Sequence, residues 1–454
     1  MLHFPDFSGK HGFGNPMALI IALPLLLLLI RGGWGVAPVN VGSVYFSSNI
    51  FVNHAAINPV LSLLHDLVER QKIEKPVHFF STNEVQAKFG SMAAGCDSTL
   101  ELINQPNPNV VIIILESFGC HVVQALGGNP LAAPNLNQLI KEGVFFDNFY
   151  ASGQSSRKGM VAILSGYPSQ PKSSIMGFEK KNSRIPHLAK AFKDQGYNTF
   201  FLYGGNLDFA HMNSYLINGG FQKTISVHDF MLINLRNKWG VHDEVTFQRL
   251  FKELKERKQP VFAAYFSLSS HEPYDVPHQS SLFDAEEPEG RFYNSAHYTD
   301  SCLGDFINKV KADKALWDNT LFVVLADHST RVGNATSFAP SSFNIPMLWL
   351  GGAVNQQPLT ISTMGSQTDI YNTLCKHVLH KTLVNPFGKD LLSLCGNNFV
   401  FFTFNNGFSM LTKDQQVVFD NNVNDFVYAT NQAEELKLMA KVYYQFMMED
   451  YLSK

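Results

Sequence analysis

The sequence predicts an α/β fold: a central, mainly parallel β-sheet flanked by helices, with a small C-terminal α+β appendage and an N-terminal membrane helix. Three observations carry this expectation. Short, β-branched apolar runs bounded by turn residues read as strands buried on both faces, as in parallel sheets. Helical patterns separate those runs, and strand and helix in alternation mean an α/β architecture. One block near the start is uniformly apolar.

Composition narrows the class. With 454 residues the chain is long enough for two or three domains, or for one large α/β domain with attachments. A 45% hydrophobic, 16% charged composition excludes disorder as the general state. The net charge of −3, without long Lys/Arg blocks, argues against a nucleic-acid partner. Cys96, Cys120, Cys302, Cys375 and Cys395 form no C-x-x-C pair, which disfavours a thiolate zinc site or a disulfide-dense scaffold. One long-range disulfide stays compatible with an oxidising compartment.

The N-terminal segment, 1–35, contains PMALIIALPLLLLLI over Pro16–Ile30. This block is shorter than the ~20 residues of a straightforward span. A signal-peptide core fits the length and the upstream Lys10, but Gly35-Val36-Ala37 is a poor cleavage site. A core helix is seldom leucine-rich on every side. A transmembrane helix fits best, with Trp34 at the interface and Arg31 snorkelling. A connector, 36–105, follows, with an amphipathic helix expected near Pro59–Lys72. The main body, 106–395, opens on VVIIILES after Asn109. A helix is expected over Pro134–Glu142 and an apolar segment over Val144–Tyr150. Tyr197–Tyr203, Val261–Leu268, Leu321–Asp327 and Ile345–Leu350 repeat the strand pattern. Helices at Ile185–Gln195, Asp243–Arg257 and Ser295–Ala312 separate them. The appendage, 396–454, has short strands at Phe399–Phe404, Phe408–Leu411, Gln416–Phe419 and Phe426–Ala429, then a helix over Gln432–Leu452.

Ligands of open parallel sheets bind at the carboxyl ends of strands. Glu116 is the first polar residue after the first apolar run. Asp327-His328 puts a carboxylate and an imidazole side by side after a later one. His271 follows Ser269-Ser270 at a third. Asp, Glu and His converging from separate strands suit Mn2+, Zn2+ or Mg2+. Each has a plainer reading: Glu116 as a helix cap and His328 as a satisfied loop histidine. The fourth piece, Ser152-Gly153-Gln154-Ser155-Ser156-Arg157-Lys158-Gly159, is a polar loop entering a helix. A serine there meets free backbone N–H groups and the positive helix end, which favours a nucleophilic oxygen or a phosphate. Its plainer reading is an ordinary N-cap.

Together these pieces resemble the lipoteichoic acid synthase and phosphoglycerol transferase family of the alkaline phosphatase/sulfatase superfamily. The resemblance runs from about Asn109 to Leu391. Supporting matches are Pro134-Asn135-Leu136, Phe146-Asp147-Asn148-Phe149, Leu164-Ser165-Gly166-Tyr167-Pro168 and Trp239-Gly240-Val241-His242-Asp243. It implies an alkaline phosphatase-like sheet, with Glu116, Asp327 and His328 as metal ligands and Ser156 as nucleophile and fourth ligand. The implied metal is a single divalent ion, Mn2+ first, with Zn2+ and Mg2+ open. His271 matches a histidine that contacts the phosphoglycerol group. Phe209 and His211 stand where the family has an aromatic and a basic residue in the substrate cleft. Ser156 replaces the usual threonine, and Ser155 is an adjacent rival. The Cys-x-Pro-x-Arg of formylglycine sulfatases is absent from this loop.

The expected function is therefore a membrane-anchored, metal-dependent phosphotransferase with an extracytoplasmic catalytic domain. It would move a phosphoglycerol-type group from a phospholipid donor to a glycan or glycolipid acceptor through a phosphoseryl intermediate. Rivals are a phosphoethanolamine transferase, a phosphodiesterase or sulfatase-like hydrolase on the same scaffold, and a catalytically silent binding protein on the membrane.

Overall fold

The computed structural model describes residues 14–34, 38–47, 49–60, 62–63, 76–92, 98–231, 235–278, 280–330, 332, 336–355, 357–381, 385–395 and 398–454. The main sheet contains β1 (Asn109–Leu115), β2 (Val144–Phe146), β3 (Asn198–Tyr203), β4 (Lys223–Ile225), β5 (Val261–Phe266), β6 (Thr320–Ala326), β7 (Met347–Leu350) and β8 (Leu359–Ile361). Their order across the sheet is β8-β2-β7-β6-β1-β5-β3-β4. β1 lies at the centre, parallel to β5 on one side and β6 on the other, and all seven of its residues are buried. That placement explains its unbroken Val/Ile run: a strand covered on both faces has no solvent side on which to alternate.

The sheet is mixed. β7 runs antiparallel to both β6 and β2, while the other neighbouring pairs are parallel. The apolar run over Val144–Tyr150 divides: β2 ends at Phe146, and Phe149–Tyr150 pairs separately with Gly365–Ser366. The helix expected from Ser295 starts earlier, at Pro288, because proline suits the first helical turn.

Helix α1 (Gly14–Arg31) forms over the expected apolar block. Among the described residues no helix is long and apolar enough to cross a membrane. Its 18 residues reach ~27 Å at 1.5 Å per residue, and Pro24 removes one backbone donor within it. Most of the helix expected near Pro59–Lys72 lies outside the described residues.

Two further helices place the site. α2 (Ser156–Ser165) is polar in its first turn and buried from Gly159 onward. It ends at Gly166, whose left-handed φ of 61° lets its N–H return to the Ala162 carbonyl. α3 (Asp243–Glu256) lays Phe247, Leu250 and Leu254 on the sheet. At the C-terminus, Phe399–Phe404, Gly407–Thr412, Gln416–Asp420 and Asp425–Ala429 form a four-stranded antiparallel sheet. α4 (Glu434–Ser453) covers it, with Tyr443 stacked on Phe401 and Tyr444 on Phe408 at 4.4 and 4.3 Å. Tyr167, just past α2, donates to Asp450 of α4 at 2.7 Å, tying this layer to α2.

α2 approaches the end of β6 so closely that a Cβ on Gly159 would overlap the Asp327 carbonyl. Gly159→Ala should therefore displace α2 from the strand end and lower stability by roughly 1–3 kcal/mol. Gly90→Ala, where nothing crowds the added methyl, should leave stability unchanged or higher. Urea unfolding of both variants checks the contrast.

Candidate functional site

The parallel register of β1 with β6 pairs Leu115 with Ala326, so the next residues, Glu116 and Asp327, emerge side by side. Both carboxylates are buried. Glu116, Asp327 and His328 each present a ligand atom, and the three atoms lie within 4.8 Å of one another. His328 Nε2 is 3.5 Å from Glu116 Oε1 and 3.3 Å from Asp327 Oδ2. His328 Nδ1 lies 3.1 Å from the Ser329 carbonyl. A carbonyl there accepts an Nδ1–H and leaves Nε2 as the lone-pair nitrogen facing the carboxylates.

Ser156 is the first residue of α2. Its hydroxyl donates to Glu116 Oε2 at 3.2 Å and stands 3.4 Å from His328 Nε2. The capping position belongs to Ser155, and its side chain makes no capping hydrogen bond. Neither serine therefore acts as a conventional N-cap, and the hydroxyl that meets the carboxylates is that of Ser156.

The surrounding backbone is arranged around the acids. Asp327 Oδ1 accepts from Ser117 N–H at 2.9 Å and His328 N–H at 2.8 Å. Ser117 has a left-handed φ of 63°, a conformation that costs a non-glycine residue about 1–3 kcal/mol, and its hydroxyl donates to Glu116 Oε1. Asp327 Oδ2 is buried with no hydrogen-bond partner. Burial, then the charge of Glu116, pushes the Asp327 carboxyl up to about 7. Burial works against the His328 imidazolium, yet Asp327 and Glu116 outweigh it and hold its pKa above the usual value. Two buried acids, an imidazole, a hydroxyl and one orphaned oxygen fit a divalent cation: such an ion would satisfy Oδ2 and offset the clustered charge.

Several contributors were not visible in the sequence. Gln367 donates to the Ala326 and Asp327 carbonyls and accepts from Ser152 N–H, joining the serine loop to the β6 end. Asp243 accepts from Leu268 and Ser269 N–H and from the Thr299 hydroxyl, fixing the loop after β5. In that loop Ser267 Oγ accepts from Glu116 N–H, and Ser270 Oγ donates to the Glu116 carbonyl. His271, the next residue, lies at the rim. Its ring meets Trp239 edge-on at 4.9 Å, and Trp239 meets Phe209 at 5.5 Å. Phe209, Trp239 and His271 thus form one aromatic row. His211 sits two residues beyond Phe209 and pairs with Glu179 at 3.0 Å. Ala210 and His211 are consecutive left-handed residues, so this loop is conformationally strained. Only the Trp239-Gly240-Val241-His242-Asp243 stretch had signalled two of these helpers, Trp239 and Asp243, without a role for either.

Comparison with known proteins places this geometry. The chain is 27% identical over 349 residues to the lipoteichoic acid synthase-like protein YvgJ of Bacillus subtilis, covering 71% of this chain and 54% of that one. It is 25% identical to phosphoglycerol transferase I of Xanthomonas campestris, covering 58% and 40% respectively. The chain thus spans about half the length, or less, of these curated relatives. A Vibrio parahaemolyticus protein of the alkaline phosphatase superfamily superposes with a TM-score of 0.72 at 27% identity, over 82% of this chain and 97% of its own. The lipoteichoic acid synthase LtaP of Listeria monocytogenes shares the fold at a TM-score of 0.67 and 19% identity, over 82% and 98%. The Sulfatase family model matches residues 108–380, more than half of the sequence and all four groups of the buried cluster, and the chain belongs to that family.

Proposed function

We propose that this protein is a phosphotransferase that moves a phosphoglycerol-type group from a phospholipid donor to a glycan or glycolipid acceptor. The observation that carries the reading is the Ser156 hydroxyl, set at a helix N-terminus and held between Glu116 and His328. The absence of Cys-x-Pro-x-Arg from its loop favours phosphoryl over sulfuryl transfer.

In this reading Glu116, Asp327, His328 and Ser156 hold one divalent cation, Mn2+ first, with Zn2+ or Mg2+ as alternatives. Such an ion would supply Lewis acidity and stabilise the ionised Ser156 oxygen. Ser156 Oγ attacks the donor phosphorus as its proton passes toward Glu116 Oε2, the phosphorus–oxygen bond to the lipid alcohol breaks, and the lipid oxygen leaves as an alcohol on taking up a proton. A phosphoseryl diester that still carries the glycerol remains at the start of α2, where backbone N–H groups and the helix dipole favour its negative charge. The acceptor hydroxyl then attacks the same phosphorus and restores Ser156. His271 contacts the glycerol phosphate, with Phe209 and His211 lining the approach. Support for an extracytoplasmic site comes from Cys395, which is disulfide-bonded, since structural disulfides persist in oxidising compartments.

Three outcomes test the reading. Ser156→Ala should remain folded and lose several orders of magnitude in turnover of a phosphatidylglycerol donor, whereas Ser155→Ala should keep substantial activity. Product mass spectrometry and a search for a glycerophosphoserine adduct in the 152–159 peptide check this, and two active variants would remove the covalent route. Glu116→Ala, Asp327→Ala and His328→Ala should each strongly reduce bound metal by elemental analysis and abolish turnover. Finally, metal binding should strengthen with pH. Asp327 is raised above its unfolded value, so the metal-free fold loses stability as pH rises from about 4 to about 7. A cation must displace that proton, so the gain in Tm on adding Mn2+ should be larger at about pH 8 than at about pH 6. Equal gains at both values would count against these ligands.

A further inference from the structure

Between Arg31 and Asp66 the chain carries no Asp, Glu, Lys or Arg, in a protein that is 16% charged overall. Part of this stretch is clamped onto the body. Val41, Tyr45 and Asn53 are buried, and Asn53 Oδ1 accepts from the Phe46 and Ser47 N–H groups. Asn40 Nδ2 donates to the Asp208 carbonyl at 2.6 Å, and Asn213 Nδ2 donates to the Tyr45 carbonyl at 2.9 Å. The loop gripped at Asp208 and Asn213 is the one carrying Phe209 and His211.

The same stretch turns other apolar side chains outward. Phe46 is 69% exposed, Phe51 78%, Val60 65% and Leu63 61%. It follows α1, whose leucines other than Leu28 are also exposed. Aromatic residues among Asn, Ser and His, with no formal charge, suit the headgroup boundary of a bilayer. A protein partner fits less well, because protein interfaces have polar rims and are enriched in arginine.

We propose that residues 38–63 are a lipid-surface docking element that holds the rim loop 208–213 against a bilayer. The element lies on the membrane and does not cross it. Docked there, the rim meets a donor headgroup while the acyl chains stay in the membrane. Adhesion through uncharged groups needs no anionic lipid and resists added salt. The purpose of this docking rests on the lipid-donor reading above, but its detection does not.

The test uses the full chain with a nitroxide at Phe51→Cys and, as a control, at Val427→Cys on the C-terminal sheet. Adding phosphatidylcholine vesicles, with or without phosphatidylglycerol, should raise oxygen accessibility and lower nickel-chelate accessibility at position 51 only, and salt should not reverse the change. An unchanged position 51, or spin–spin broadening between copies in place of lipid contact, would overturn the proposal. This readout stands whether or not the protein turns over any lipid. In an active preparation, Phe46→Asp combined with Phe51→Asp should slow turnover of a vesicle-borne donor by about tenfold or more while sparing a short-chain soluble donor. Equal loss on both donors would also overturn it.

Discussion

The register between β1 and β6 is the constraint on which the site depends. Because Leu115 pairs with Ala326, two carboxylates leave adjacent strands at the same level and are buried together. Neighbouring like charges in a low-dielectric interior are unfavourable unless protonated or offset by a cation. The protein adds N–H and hydroxyl donors around them: Ser117 to both acids, Ser156 to Glu116 and the His328 amide to Asp327. These bonds orient the acids without cancelling their charge. A slip of one residue would turn one acid to the opposite face of the sheet and separate the pair.

Packing then brings the Ser156 hydroxyl to the acids. Gly159 lets α2 lie against the Asp327 backbone, and Gln367 bridges the serine loop to the same strand end. The hydroxyl of Ser156 is thus placed by backbone contacts on both sides, which is how a short polar side chain acquires a fixed position. The loop after β5 receives similar support from Asp243, so Glu116 and His271 share one anchor.

What the sequence made legible follows from these physics. Strands buried on both faces leave uninterrupted apolar runs, so β1, β5 and β6 and the polar residues ending them stood out. Strand direction leaves no such mark, and β7 was not recognisable as antiparallel. β4 and β8 are three residues each, too short for a pattern. Gln367 and Asp243 act through contacts with residues distant in the chain, and nothing local distinguishes a bridging glutamine from a surface one. The apolar block at Pro16–Ile30 marked a helix that does form, over Gly14–Arg31, because a run of leucines leaves a signal in composition alone.

The central position of β1 also governs when the site can exist. Asn109, at its start, bonds to residues 152 and 211 positions later in the chain, on the strands that flank it. Closing such long loops precedes any gain from pairing, which makes folding slow relative to chains with local contacts. During synthesis β1 therefore emerges well before either neighbour and remains an unpaired edge, apolar from Val110 to Leu115, the kind of segment that invites misassociation. The cluster of acids and imidazole has no partial form along that route: Glu116 meets His328 only after a further 212 residues have been made.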